Sequence, residues 1–332
     1  MKILLLLIVL GFAKMLTAQD AATLYQTGHN FLKQADYDNA ILVLKKACSL
    51  APNTLQYEKD LAQAYYYKGD YENAITTIDK LTDYDDADEF VYVLAGDICK
   101  ANANAKSAEK YYKKGLKKFE KSGALYNAYG NLLWIQKDYS AIKQWEKGIA
   151  ADPNFAGNYY NATVYYYLTK DAQDKTWSLY YGEIFVNLES YSTKSIEVKN
   201  IVLESYKKIF TDETYFTKNT KNTFENAFKE TLVKYKDVVN TGVNTENLIL
   251  LRSLLILDWY SATNKQTTSL YSKHQQLLKE GLFEAYNYWL FESIDNTNNY
   301  EIWVNTHKPS YEQFVKYNQN RVFKLTNVEY FK

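Results

Sequence analysis

Residues 28–74 read GHNFLKQADYDNAILVLKKACSLAPNTLQYEKDLAQAYYYKGDYENA. Laid over itself with a shift of 34, the stretch pairs Gly28 with Ala62, Phe31 with Tyr65 and Ala40 with Ala74. The turn Asp36-Tyr37-Asp38-Asn39-Ala40 falls on Asp70-Tyr71-Glu72-Asn73-Ala74. Working outward, the small residue returns at Gly96 and Gly130, with Cys99 and Leu133 three positions later, and the turn alanine returns at Ala108. The fourth copy is one residue short, so Ala141 follows Gly130 by eleven, in the turn Asp138-Tyr139-Ser140-Ala141. Pro52 and Pro153 each stand twelve positions beyond a turn alanine. A fixed period of this length marks stacked supersecondary units.

The spacing predicts a helical hairpin per copy. In the first helix a small residue admits the second helix closely, and the residue three on shares its face. The turn alanine is the reciprocal small contact, and proline suits the turn between copies because it cannot continue a helix. This order of small, aromatic, small and proline at a 34-residue period resembles the tetratricopeptide repeat family. The resemblance implies an all-α fold, a superhelix of helical hairpins, over residues 21–155. A weaker fifth copy extends it to 190, because Ala162-Thr163-Val164-Tyr165-Tyr166-Tyr167 mirrors Ala62-Gln63-Ala64-Tyr65-Tyr66-Tyr67. The second helix of that copy, around 174–188, lacks the turn alanine. Glu58 stands where the family prefers an apolar residue, and Asp86 and Glu120 replace proline at two copy ends.

In this family the concave wall is lined by the first helix of each repeat. Carried onto this register, the groove presents Tyr25, His29 and Lys33, then Lys59, Gln63, Tyr66 and Tyr67. The third repeat adds Phe90 and Asp97, the fourth Asn127, Asn131 and Trp134, and the fifth Tyr159, Thr163, Tyr166 and Tyr167. These residue types make adaptable polar and aromatic contacts. The chaperone-type members clamp a peptide carboxylate with Lys and Asn. Here Tyr25 and His29 stand at the first of those places, a departure that argues against that ligand class.

Beyond 190 the repeat fades, and 191–332 reads as a helical C-terminal domain capping the array. Ser192–Phe210 carries apolar residues at Ile196, Val198, Ile201, Val202, Tyr206 and Ile209, a period near 3.6. Residues 224–239 read likewise, and Leu248–Trp259 is apolar nearly all round yet too short to span a bilayer. Helices are expected over 270–278, 283–291 and 311–317, with a polar loop at 295–299 and a loosely alternating tail over 321–331.

The 332 residues include only 12 Gly and 3 Pro but 33 Tyr, and aromatics make 16% of the chain. That balance excludes turn-dense β-sandwiches and disordered polar chains. Residues 1–18, MKILLLLIVLGFAKMLTA, carry a positive start, an apolar run and a small-residue end, the pattern of a signal peptide cleaved before Gln19; the alternative, an uncleaved membrane anchor, needs about 20 apolar residues, and Lys14 interrupts the run too early. A periplasmic or extracellular address follows. The first cysteine is Cys48, so no lipid-accepting cysteine follows the leader. Cleavage would remove Lys2 and Lys14 and no acid, leaving 37 bases against 39 acids, a formal charge of −2. With no basic excess, and Arg only at 252 and 321, nucleic acid is discounted as a partner. Cys48 and Cys99 fall in different repeats and read as buried free thiols.

No zinc, phosphate-loop, dinucleotide or nucleophile-elbow pattern occurs, so no catalytic residue, metal ligand or cofactor is assigned. The acidic run Asp83–Glu89 reads as a solvated turn; for a calcium loop it lacks the bending glycine, Asp88 standing in that place. The expected function is a non-enzymatic, exported scaffold gripping a protein or peptide in the groove. The alternative places a glycan-binding or glycan-cleaving site in the C-terminal domain, on Tyr286–Trp289, Tyr300 and Trp303. Spacings compatible with a helix favour core packing for that stretch.

Overall fold

The computed structural model describes residues 19–218, 220–261 and 268–325. The signal-peptide reading of residues 1–18 lies outside them, as does most of the expected C-terminal tail. All regular structure among the described residues is helical. The chain divides into two units, one up to Ala141 and the other from Ile142.

The first unit holds α1 (19–33), α2 (Tyr37–Leu50), α3 (Leu55–Lys68), α4 (Tyr71–Leu81), α5 (Glu89–Ala101), α6 (Ala105–Lys118) and α7 (Gly123–Ile135). Each helix packs on the next, and α5 also meets α7. Two features impose the 34-residue register. The first is a knob in a notch. A Cβ built on Gly28 would stand 2.7 Å from the Leu44 side chain, and one on Gly96 would stand 2.1 Å from the Tyr112 ring. Leu44, Ile78 and Tyr112 are spaced by 34 and wholly buried; in the first and third hairpins this large side chain of the second helix meets the small residue of the first, and Ile78 holds the matching place in the second.

The second feature is the turn inside each hairpin. Ala35, Gly69, Ala103 and Lys137 all have φ between 55° and 83°. These left-handed residues, again 34 apart, end the first helix. The next residue caps the second helix: Asp36 accepts from the backbone N–H of Asn39, Asp70 from Asn73 and Asn104 from Ser107. Glu58, the departure from the apolar pattern, is buried but paired with Lys80 at 2.9 Å, and the Tyr84 hydroxyl lies 3.1 Å away. The acidic run forms a turn: Asp83 pairs with Lys114 at 2.8 Å, and Asp88 caps α5 on the Val91 N–H. Both cysteines are free thiols; Cys99 is buried as expected, whereas Cys48 is half-buried.

The second unit holds α8 (Ala141–Ala151, its first residue closing the first unit), α9 (Ala156–Leu168), α10 (Lys175–Leu188), α11 (Thr193–Thr211), α12 (Thr214–Thr217), α13 (Thr223–Tyr235) and α14 (Thr245–Ser261). After these come α15 (Ser269–Lys279), α16 (Phe283–Asn287), a π-helical turn at Tyr288–Glu292, α17 (Ser293–Asp295), α18 (Thr297–Thr306) and α19 (Lys308–Asn320). Helix α10 is the hub. Every residue from Lys175 to Asn187 is buried, and Gly182 lets Thr163 of α9 and Val202 of α11 close on it.

Two expectations need correction here. Ile196 is 61% exposed although it fits the apolar stripe of α11; Val198, Ile201, Val202, Tyr206 and Ile209 form the buried face. The polar loop expected over 295–299 is a helix start, because Asn296 accepts from the Asn299 N–H and caps α18. Polar residues there satisfy helix-end donors, a role that polarity alone does not separate from a loop.

Candidate functional site

Adjacent first helices of the repeats, α1, α3 and α5, carry the expected groove residues of the first unit. Between α1 and α3, Tyr25 stacks on Tyr57 with centroids 4.5 Å apart, and Nδ1 of His29 lies 2.6 Å from Asp60. Gln56 donates to the other Asp60 oxygen at 3.0 Å. Asp60 is buried, so its oxygens meet these side chains in place of water. Burial, and then Asp60, push the Tyr25 hydroxyl up from its ordinary pKa. Between α3 and α5, Lys59 donates to Asp88 at 2.6 Å and lies 5.3 Å over the Phe90 ring.

Toward the hairpin tips, Tyr37, Tyr67, Tyr66 and Tyr71 form a run of rings with successive centroids 5.7, 5.3 and 6.3 Å apart. Gln63 donates to the Tyr67 hydroxyl at 3.2 Å. Tyr67 is 51% exposed and Phe90 40%. Tyr66 is half-buried, and burial, then Asp97, raise its pKa. Asp97 takes hydrogen bonds from Tyr112 at 2.7 Å and Lys100 at 2.5 Å. On α7, Asn131 donates to Asn127 at 3.2 Å, and Trp134 meets Tyr139 edge-on at 5.8 Å. Lys33 is exposed.

In the second unit Tyr159, Thr163 and Tyr166 are buried, and Tyr159 and Tyr166 lie against Tyr181 of α10. Tyr167 is half-buried under Lys208, whose Nζ stands 3.7 Å over the ring. The structure thus links Tyr25, His29, Lys59, Gln63, Tyr66, Tyr67, Phe90 and Asp97 through neighbouring contacts on α1, α3 and α5. Tyr57, Gln56 and Asp60, which the sequence reading did not name, join them.

The sugar-platform alternative loses its ring faces. Trp303 is buried between Tyr288, stacked at 4.3 Å, and His307, stacked at 4.8 Å. Tyr286 is fully buried, and Lys199 sits 3.8 Å over Trp289. The expectation of core packing is met.

Sequence reading missed a buried polar cluster around α10. Glu183 accepts from Tyr286 and lies against His274, both at 2.7 Å, and it pairs with Arg252. Arg252 also reaches Asn287, and Asn187 donates to the Tyr286 hydroxyl at 2.8 Å. Burial alone would raise the Glu183 pKa; Arg252, then His274, outweigh it and hold the carboxyl down to about 2. Burial lowers the His274 pKa, which leaves the ring neutral near pH 7. The adjoining cavity, lined also by Thr176, Tyr206 and Tyr271, is about 20 Å³, room for a water molecule and no substrate. Among the described residues, no group of three His, Cys, Asp or Glu side chains is placed to hold a metal ion, and no helix is long and apolar enough to cross a membrane.

Comparison with known proteins agrees with the repeat register. No curated protein matches the sequence. Among solved structures, the chain is similar to the MamA protein, with 20% identity and a TM-score of 0.39 over 53% of this chain and 96% of that one. It is similar to YrrB, described as a TPR protein with an unusual peptide-binding site, at 16% identity and a TM-score of 0.37 over 55% and 92% of the two chains. A tetratricopeptide repeat protein from Parabacteroides merdae ATCC 43184 aligns at 11% identity and a TM-score of 0.39 over 86% and 98%. The sequence profile of the tetratricopeptide repeat matches residues 21–54 and 60–88, the two copies that share knob, left-handed turn and cap. On that match, residues 21–88 carry tetratricopeptide repeats, and the hairpins that follow continue their register.

Proposed function

We propose that this chain is an exported, non-enzymatic scaffold that grips a protein or peptide on the wall formed by α1, α3 and α5. Tetratricopeptide repeat proteins bind protein or peptide partners, and this coarse role belongs to the chain with its family. One observation carries the finer reading. The contacts Tyr25–Tyr57, His29–Asp60 and Lys59–Asp88 tie neighbouring first helices together, while Tyr67 and Phe90 keep large ring areas open to solvent. A wall already fixed before binding spares the ordering cost that a flexible surface would meet. The exposed and half-exposed residues Tyr25, Gln63, Tyr66, Tyr67 and Phe90 are the gripping set. The array spans 19–190, and the domain over 191–332 follows it.

A direct test places a photo-crosslinking amino acid at Phe90, recovers partners from the exported fraction, and repeats the capture with Tyr66→Ser/Tyr67→Ser. Loss of the crosslinked species supports the wall, provided that Leu42→Ser, at a side chain 68% exposed on α2, leaves capture intact. Equal capture by the double variant removes the proposal. Export rests on the sequence pattern of residues 1–18. Amino-terminal sequencing of the exported protein should begin at Gln19.

A further inference from the structure

The second unit carries an open pocket of about 300 Å³ between α15, the end of α19 and the segment 321–325. Ser272, Lys273 and Gln276 supply one side; Tyr317, Arg321, Phe323 and Lys324 supply the other. Its size lies at the lower end of small-molecule sites. Among the described residues three cations line it and no carboxylate does. Glu280, beside the pocket but outside its lining, is held by Arg321 at 2.9 Å and by Gln276 at 3.0 Å. That pair engages one Arg321 nitrogen, and the guanidinium also lies 4.6 Å over Tyr317.

Lys273 is different. Its Nζ stands 5.9, 5.8 and 5.5 Å from the ring centres of Tyr286, Tyr317 and Phe323, and its hydrogen-bond acceptor is the neutral Asn318 at 3.3 Å. No carboxylate lies within ion-pair distance of it among the described residues. The excess of positive charge in this pocket contrasts with a chain whose formal charge is zero.

We propose that this pocket binds an organic carboxylate with a flat apolar body, the acid group set against Lys273 and the body against Tyr317 and Phe323. An ammonium is a compact charge that meets one carboxylate well, and the one guanidinium of the lining already pairs with Glu280 through a single nitrogen. The aromatic walls account for the apolar part. Burial pushes Lys273 down to about 8, against the pull of the more distant Glu183. The other charged or titratable groups around it are Arg252, His274 and Tyr286 on the Glu183 side, and Tyr317, Arg321 with its partner Glu280, and Lys324 on the pocket side. A bound anion favours the charged amine, so binding near pH 8.5 draws a proton from the buffer.

The full chain is titrated calorimetrically with benzoate, benzamide and inorganic phosphate. The expected result is saturable benzoate binding at least tenfold tighter than either comparator. Proton uptake should appear at pH 8.5, seen as a heat that changes with the buffer's ionisation enthalpy, and should be absent at pH 6. Lys273→Met should abolish binding. If that variant folds poorly, Lys324→Met and the pH 8.5 proton count on the unaltered chain still decide. Benzamide or phosphate binding as tightly as benzoate, no saturation by 10 mM benzoate, or benzoate binding without proton uptake at pH 8.5 overturns the proposal.

Discussion

The residues that end the first helix of each hairpin are the least expected feature at the smallest scale. Ala35, Gly69, Ala103 and Lys137 share a left-handed backbone, but only one of them is glycine. A side chain there costs on the order of 1 kcal/mol. Ala35→Gly, Ala103→Gly and Lys137→Gly should each raise the urea midpoint by the equivalent of about 0.5–1 kcal/mol, and Gly69→Ala should lower it by as much. Unchanged midpoints in all four would show the turn relaxing around any residue. The caps were legible in advance only where the turn repeats its letters, at Asp36 and Asp70. Asn104 does the same work in a turn whose letters differ, so backbone conformation keeps the period where sequence loses it. Glu58 was visible as a breach of pattern, but Lys80 and Tyr84, which make the breach tolerable, could be identified only from packing.

Among the elements, the knob and notch decide how closely paired helices approach. Tyr112 fills the space over Gly96 and donates to Asp97, so its ring cannot swing away to make room for a methyl group. Gly96→Ala should destabilise the chain by about 1–3 kcal/mol. Tyr112→Leu in the same chain should recover part of that loss, which a double-mutant cycle on urea midpoints would measure. A strictly additive pair would place the strain elsewhere. The hairpins of 21–155 could be read in the sequence because small and large residues alternate at a fixed distance, a local rule. The cluster around Glu183 could not: its partners Arg252, His274 and Tyr286 lie 69, 91 and 103 positions away, on helices with no shared period. Helix α10 hid its role for a related reason. Enclosed on all sides, it has no polar stripe to reveal which face is inward.

For the whole molecule, buried charges shape the response to pH. The Glu183 carboxyl has a folded pKa of about 2 against an ordinary 4.5, so the stability it confers is complete above about pH 4.5 and disappears as pH falls toward 2. Glu183→Gln should flatten the acid limb of the stability curve. Lys199 acts in the opposite sense. Burial pushes it down to about 7, so between pH 7 and its ordinary 10.5 the unfolded chain holds the extra proton and stability rises with pH. Its ammonium donates to the Trp289 carbonyl of the π-helical turn at 2.7 Å, an oxygen that also accepts from the Ser293 hydroxyl. Urea midpoints of Lys199→Met from pH 7 to 9.5 should climb less than those of the unaltered chain; parallel curves would refute this. The concealed sulfur of Cys99, which burial raises above the usual thiol range, has a practical consequence. Alkylating reagents can reach it only when the third hairpin parts from its neighbours. The rate at which a maleimide dye couples there under native conditions is therefore a clock, built into the natural sequence, for how often the stack breathes.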